Sequence, residues 1–499
     1  MMRKVLTIFV SLLLALSLVS LFGCGSSRDQ EGANEKKETN PISDETTASD
    51  DETNKETETD YPVLPDSVFG TKSNIVIELS GWAAFAPLDV PDIGVENMQA
   101  DTLSMAAYER DRWISEYLDI TMEVRSRPTI DDSVNAIRTM VQTGTSDVDL
   151  WLMRSSAYGS AITGGLLSPL DRRDLSYFNP DSDWWERASY DALSVAGTHY
   201  GVIGDFTVAD DMTYWNVYFN KDIIKASGLE SPYDLVKAGT WTYEKMYDLA
   251  CEVIGDTDKT KLEYDDTHGI SMIRDVLAGA LNVSGVKIAS KDSDDLPVVS
   301  FYNEDTVDIF TELCNIFYDG KVVYNCHTQG GDEIGIFTNG STLFTLGGIY
   351  YAPLMRSTEV NFGLLPMPKF DETDDYHSAT SPLFLSILVT PKNENENSDV
   401  VSAFMELYAA DGSKSVVPGF YDKLLKLKVA RDEESEAMLD VIFANTVYDI
   451  GAIYNFANFS FKLVDMMYTN NRNIASMWQM NEGLITADIE KMLDALTAE

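Results

Sequence analysis

Short apolar runs alternate with longer stretches of helical spacing along most of the chain. Asn74–Ser80 reads as a strand that ends at Gly81-Trp82. Asp101–Leu118 sets Ala106, Ala107, Trp113, Ile114 and Leu118 at roughly helical spacing. Thr121–Arg125 is a second strand, Ser133–Thr143 a helix stopped by Gly144, and Val148–Met153 a buried strand with Arg154-Ser155-Ser156 just past its end. Strand, helix, strand, helix, strand predicts an open, mainly parallel sheet.

The pattern resumes further on. His199–Phe206 reads as a chain crossing between lobes, Thr213–Phe219 as a strand, and Lys221–Ala226 as a helix stopped by Gly228. Helices follow at Thr240–Val253 and Thr306–Tyr318. Phe337–Gly340 is a helix end and glycine turn, and Leu343–Leu346 is a strand that stops at Gly347-Gly348, with Tyr350 and Tyr351 just beyond. Glycines at a strand end admit close backbone approach. Asn361–Pro366 and Leu383–Thr390 are strands, and the chain closes in helices at Val400–Ala410, Glu434–Phe443, Phe459–Asn470 and Thr486–Leu496.

Composition divides the chain before any chemistry is read. Residues 1–23 carry Arg3 and Lys4 ahead of an apolar run and read as a signal peptide. Residues 24–62 are polar and almost without aliphatic side chains, so they cannot bury enough apolar surface to fold and form a tether. The remaining ~435 residues exceed one core and predict two lobes. A net charge of −44 disfavours nucleic acid and anionic lipid as partners. Beyond Cys24 the cysteines are Cys251, Cys314 and Cys326, an odd number that argues against a disulfide framework and for buried free thiols.

Catalytic and metal signatures are missing. The four histidines, His199, His268, His327 and His377, have no zinc spacing, and there is no nucleophile elbow, P-loop or dinucleotide fingerprint. Asp256, Asp258, Asp265 and Asp266 lack the glycine of a calcium loop. No cofactor is expected, and the chain reads as a binder rather than an enzyme.

Several stretches, in order, resemble one family. Leu21-Phe22-Gly23-Cys24 is similar to a bacterial lipobox, although Phe22 departs from the small residue usual there. Val148–Met153 with Gly165-Leu166-Leu167-Ser168-Pro169-Leu170, Tyr218-Phe219-Asn220-Lys221-Asp222, Gly239-Thr240-Trp241-Thr242, Phe337–Tyr351 and Gly363–Pro368 together resemble the extracellular solute-binding proteins of ABC importers, in their sugar- and maltodextrin-binding branch. The resemblance implies an α/β, two-lobe periplasmic-binding-protein-like fold (type II) with the ligand between lobes joined by hinge segments. It implies lobes of residues 70–206 plus 378–415 and 207–377 plus 416–499. It implies a monomer anchored to the outer face of the membrane through lipid on Cys24, capturing a carbohydrate for a permease. A secreted polysaccharide hydrolase or lyase and a sensory partner of a membrane kinase are the alternative readings. By position, the implied ligand contacts are Trp82, Arg154, Ser155, Ser156, Asp211, Tyr214, Trp215, Tyr350 and Tyr454. Aromatic faces suit sugar rings, and charged or hydroxyl groups suit their hydroxyls. The acidic contacts of that family have no clear counterpart in the sequence. Trp241 is expected in the core, and Trp184-Trp185 either caps the site or covers a helix.

Overall fold

The computed structural model describes residues 61–80, 92–98, 101–172, 174–255, 266–382, 384–392, 397–426 and 433–497. Cys24, Trp82 and the acidic loop 256–265 lie outside them. The strands are β1 (Asn74–Leu79), β2 (Thr121–Ser126), β3 (Leu150–Arg154), β4 (Leu167–Ser168), β5 (Gly201–Val202), β6 (Trp215–Asn220), β7 (His268–Met272), the hairpin β8 (Ala289–Lys291) and β9 (Pro297–Val299), β10 (Val323–Asn325), β11 (Thr342–Gly348), β12 (Phe362–Pro366) and β13 (Ser386–Pro391). They make two large sheets, one per lobe. The first has the order β2-β1-β3-β13-β4 with β5 on β13, and the second β10-β7-β11-β6-β12.

Each sheet holds three parallel strands and reverses at one strand. In the first, β1 runs parallel to β2 and β3 while β13 is antiparallel to β3. In the second, β7 runs parallel to β10 and β11 while β6 is antiparallel to β11. β6 and β13 are the strands that enter their sheets directly from a segment crossing between lobes. The crossing, not propensity, sets their direction.

Three crossing segments lie side by side. Tyr214 bridges Thr380, and Ser378 bridges Thr446. Trp215 N–H donates to Ala379 O at 3.0 Å, Ser381 N–H to Thr213 O at 3.0 Å and Val447 N–H to Ser378 O at 2.8 Å.

The first crossing is fixed to its lobe by a buried polar network on the helix Thr102–Leu118. Arg110 is buried. Its guanidinium donates to Asp111 (3.2 Å), to the Tyr408 hydroxyl (2.7 Å), to Phe206 O (3.3 Å) and to Asp92 O. The Asp92 carboxylate in turn accepts from the Thr207 hydroxyl and Val208 N–H, both at 2.7 Å. Burial would lower the Arg110 pKa, but Tyr408, Asp111 and Asp92 outweigh it and hold the group above its usual value.

The paired tryptophans cover a helix. Trp184 and Trp185 donate their indole N–H groups to Glu406 at 2.9 and 2.7 Å, on the helix Ser398–Asp411. Trp241 is fully buried and donates to Pro366 O at 3.0 Å. Cys314 and Cys326 are buried free thiols, and Cys251 is an exposed one. The last helix, Ile474–Thr497, is longer than the expected Thr486–Leu496, because its first turns bury Met477, Trp478 and Asn481 among polar neighbours that blur the apolar period. Among the described residues no helix is long and apolar enough to cross a membrane.

Removing one partner of a buried ionic network leaves the others uncompensated. Arg110→Met should therefore cost about 3–5 kcal/mol in urea unfolding. A loss under about 1 kcal/mol would show that the network does not hold the crossing.

Candidate functional site between the lobes

The double glycine does not stop its strand. β11 runs through Gly347 and Gly348, which pair with Asn216 and Trp215 of β6. Two rings explain why both positions are glycine. A Cβ at Gly347 would collide with the Tyr351 ring, and one at Gly348 with the Tyr350 ring. The space the glycines leave is thus filled by the tyrosines that follow. Tyr351 is buried, its hydroxyl donating to Glu333. Tyr350 stays half-buried at right angles to it, with ring centroids 4.7 Å apart.

Tyr350 belongs to the same locus as the head of β6. Asp211–Thr213 is one tight helical turn. The Tyr350 N–H donates to Met212 O at 3.2 Å, and Ile349 N–H to Tyr214 O at 3.1 Å. Thr213 is tied back by its hydroxyl to Asp210 O at 2.8 Å. Asp211 is half-buried. Tyr214 is buried, with its hydroxyl 2.8 Å from that of Thr446. Trp215 is buried against Gly279, where a Cβ would meet its ring.

A second locus lies at the other end of the segment that begins at Ser381. Arg154, at the end of β3, is buried with its guanidinium 4.3 Å over the Phe384 ring, and burial pulls its pKa down to about 10. The Ser155 hydroxyl donates to Pro382 O at 2.7 Å and its N–H to Leu385 O at 2.9 Å, so this serine is spent on the crossing. Ser156 is half-buried beside it. From Ser381 to Leu385 the extended chain spans no more than about 14 Å.

Tyr454 clamps this locus from the other side. It is buried, donates to Leu193 O at 2.7 Å, and meets Tyr158 edge to face at 5.0 Å. Its carbonyl presses on Gly159, which a Cβ would displace. Beside it opens a polar groove of about 740 Å³, lined by Ser156, Ser160, Asn455, Asn458, Lys462 and Asp488 among others.

Four acidic groups that no sequence pattern links lie around the first crossing. Glu186, Asp205, Asp210 and Asp211 interact electrostatically around the first crossing, together with Tyr214, Tyr421 and Tyr448. Trp185 bridges Gly204, Asp205 N–H donates to Trp184 O at 2.9 Å, and the Tyr448 hydroxyl donates to Glu186. These links bring chain from three regions to one place. Burial is the main cause that raises all four carboxyls, with mutual repulsion added for Glu186, Asp210 and Asp211. Asp205 is pushed up to about 6.

Of the nine expected contacts, Asp211, Tyr214, Trp215 and Tyr350 thus share one locus, and Arg154, Ser155, Ser156 and Tyr454 a second. Trp82 lies outside the described residues. Glu186, Asp205, Asp210, Tyr421 and Tyr448 were not singled out. Asp205 lies within the crossing expected at His199–Phe206 and Asp210 just beyond it, the one signal available for them.

Two α/β lobes, three crossing segments and polar and aromatic groups at their junction define a solute-binding fold of type II. Solved structures carry the same fold. An ABC substrate-binding protein from Listeria monocytogenes in complex with cycloalternan matches at 14% identity and TM-score 0.53, over 85% of this chain and 99% of its own. The GacH receptor of Streptomyces glaucescens matches at 12% identity and TM-score 0.54, over 85% and 99%. A cyclo/maltodextrin-binding protein complexed with maltotetraose matches at 13% identity and TM-score 0.52, over 84% and 96%. No family model and no curated relative matches the sequence.

The acidic locus makes a pH prediction. A carboxyl raised on folding adds stability that is complete below its unfolded pKa, near 3.8, and is lost as pH rises through the folded value, about 6 for Asp205. Asp205→Asn should remove about 2–3 kcal/mol of the unliganded protein's stability difference between acid and neutral pH. Urea unfolding at pH 4 and pH 7 measures it, and an unchanged difference would place Asp205 in water-like surroundings.

Proposed function

We propose that the chain is an extracytoplasmic solute-binding protein that captures a carbohydrate between its lobes and delivers it to an ABC permease. The observation that carries this reading is that the polar and aromatic cluster is built on the crossing segments themselves. A ligand touching Asp211 or Tyr350 touches the parts that must rotate when the lobes close, so ligand contact and hinge position are one equilibrium. The solved structures of the same fold that hold cycloalternan and maltotetraose support a carbohydrate.

In this reading Tyr350 offers a ring face, and Asp211 and Ser156 accept or donate to hydroxyls. Trp82 completes the aromatic set. Arg154, Ser155, Tyr214, Trp215 and Tyr454, which are buried, hold the contacting groups in place. The protein acts without catalysis or cofactor, as a monomer tethered through lipid on Cys24.

Screening neutral and charged oligosaccharides by thermal shift should give a ligand that raises the melting temperature, since binding to the folded state alone stabilises it by mass action. A shift with peptides or amino acids and none with any sugar would refute the substrate class. Tyr350→Ala should weaken that ligand about tenfold or more while leaving unfolding within about 1 kcal/mol of wild type. Equal losses in both would make the ring a packing element. Cys24→Ser should move the full-length protein from the membrane to the soluble fraction, and unchanged membrane association would exclude the lipid anchor.

A further inference from the structure

We propose that the polar groove beside Tyr454 takes an anionic saccharide, with Arg138, Lys462 and Lys491 meeting its carboxylate or sulfate and Phe461 one of its ring faces. The inference rests on the binding function proposed above and narrows its substrate class.

The groove runs between the lobes. One wall is the helix Ser155–Thr163, which follows β3, with the helix Ile130–Thr143 beside it. The other is the turn after Tyr454 with the helices Phe459–Tyr468 and Ile474–Thr497. Phe459–Tyr468 packs on Val276–Val283, the helix that follows β7 of the second sheet. An adjoining hollow of about 620 Å³ shares Arg138, Ser156, Ser160, Asn455 and Asn458 with the groove, and Phe461, 39% exposed, is part of its lining. Each is within the size of small-molecule sites, about 300–1,000 Å³, and together they give room for an oligosaccharide.

The charge of the groove runs against that of the chain. Among 81 acidic and 37 basic residues, a basic side chain readily finds a carboxylate, as Arg112, Arg125, Arg127, Arg172 and Arg187 do. Arg138, Lys462 and Lys491 pair with none among the described residues. Arg138 and Lys462 donate instead to the neutral amides of Asn135 and Asn481, each at 2.6 Å, which place the charge without cancelling it. Asp488 is the acid of the groove, and one of its oxygens is taken by Ala457 N–H at 2.7 Å. Exposed Asp131 lies in the adjoining hollow. Three cations against one carboxylate in a cleft focus positive potential there. At physiological salt fields fade over about 8 Å, so these near charges outweigh the distant ones of a chain at −44.

The uncharged lining suits hydroxyls. Ser160 and Thr163 give their protons to carbonyls of their own helix, Ala157 O at 2.9 Å and Gly159 O at 2.8 Å, and are left to accept from ligand hydroxyls. Asn455, Ala457 and Asn458 hold left-handed backbone at φ 55°, 53° and 56°, a costly conformation for alanine, in the turn whose asparagines line the groove. Strain of this kind gathers at ligand clamps, where the surroundings fix it. Here the hydrogen bond to Asp488 does so.

Titration calorimetry on the full chain tests the proposal. The probes are trisaccharides of galacturonate and of glucuronate, a sulfated galactan trisaccharide, the methyl-esterified or desulfated counterpart of each, maltotriose and citrate. At least one acidic probe should bind about tenfold or more tightly than its neutral counterpart at pH 7, and the series in which it does so separates carboxylate from sulfate. Arg138→Gln and Lys491→Gln should each cut that advantage about threefold or more while leaving the neutral counterpart within about twofold. Lys491 is exposed, so its replacement leaves the fold intact. Equal losses for both sugars would mark these side chains as packing elements and overturn the inference. Equal binding of an acidic probe and its counterpart, or tight maltotriose binding with no acidic preference, overturns it and leaves the carbohydrate reading standing. No binding of any acidic probe at about 1 mM overturns it as well. Citrate bound in place of every saccharide overturns the carbohydrate reading and the inference with it.

Discussion

The geometry of the hinge depends on Arg110. A guanidinium in the core is expensive unless every donor is used and its charge is met. Here the donors go to Asp111, Tyr408 and two backbone carbonyls, one belonging to Asp92 and one to Phe206 in the crossing. Asp92 then seizes Thr207 and Val208 with its side chain. The chain between lobes therefore leaves the first lobe from a fixed point and a fixed direction. Everything downstream inherits that: the turn at Asp211–Thr213, the reversed strand β6, and the tyrosine laid over Gly348.

The second constraint is the sharing of backbone between the crossings. Tyr214, Thr380 and Thr446 sit abreast, and their hydrogen bonds form a narrow ribbon in place of flexible linkers. Such a ribbon can twist about its length but resists shear, which suits a hinge that returns to one closed arrangement. The acidic residues lie on this ribbon and beside it.

Much of the fold was legible in the sequence where periodicity was clean. β1, β3, β6, β11 and β12, and the helices after β1 and β6, lie within a few residues of their expected places. Strand β7 and the helix Val276–Val283 were not visible, because an apolar stretch between acidic loops has no period to separate strand from helix. The double glycine misled for a different reason. Glycine usually punctuates a strand, but here tertiary packing of two rings selects it inside one. At the candidate site, Asp211 and Tyr350 are expected from position, whereas Glu186 and Asp205 are brought near them by links among three distant regions that no local pattern connects. In a chain with 81 acidic residues, the four around the first crossing carry no compositional mark.

The two tryptophans on Glu406 carry one more consequence. Trp184 gives its carbonyl to Asp205 in the first crossing while its indole N–H is held by a carboxylate on a rigid helix. Trp185 is held by the same carboxylate and bridges Gly204. Any rotation of the crossing moves the backbone of these residues against the fixed Glu406 and alters how the indoles are hydrogen-bonded and quenched. The molecule therefore contains its own optical gauge of lobe movement, placed next to the hinge and needing no attached dye.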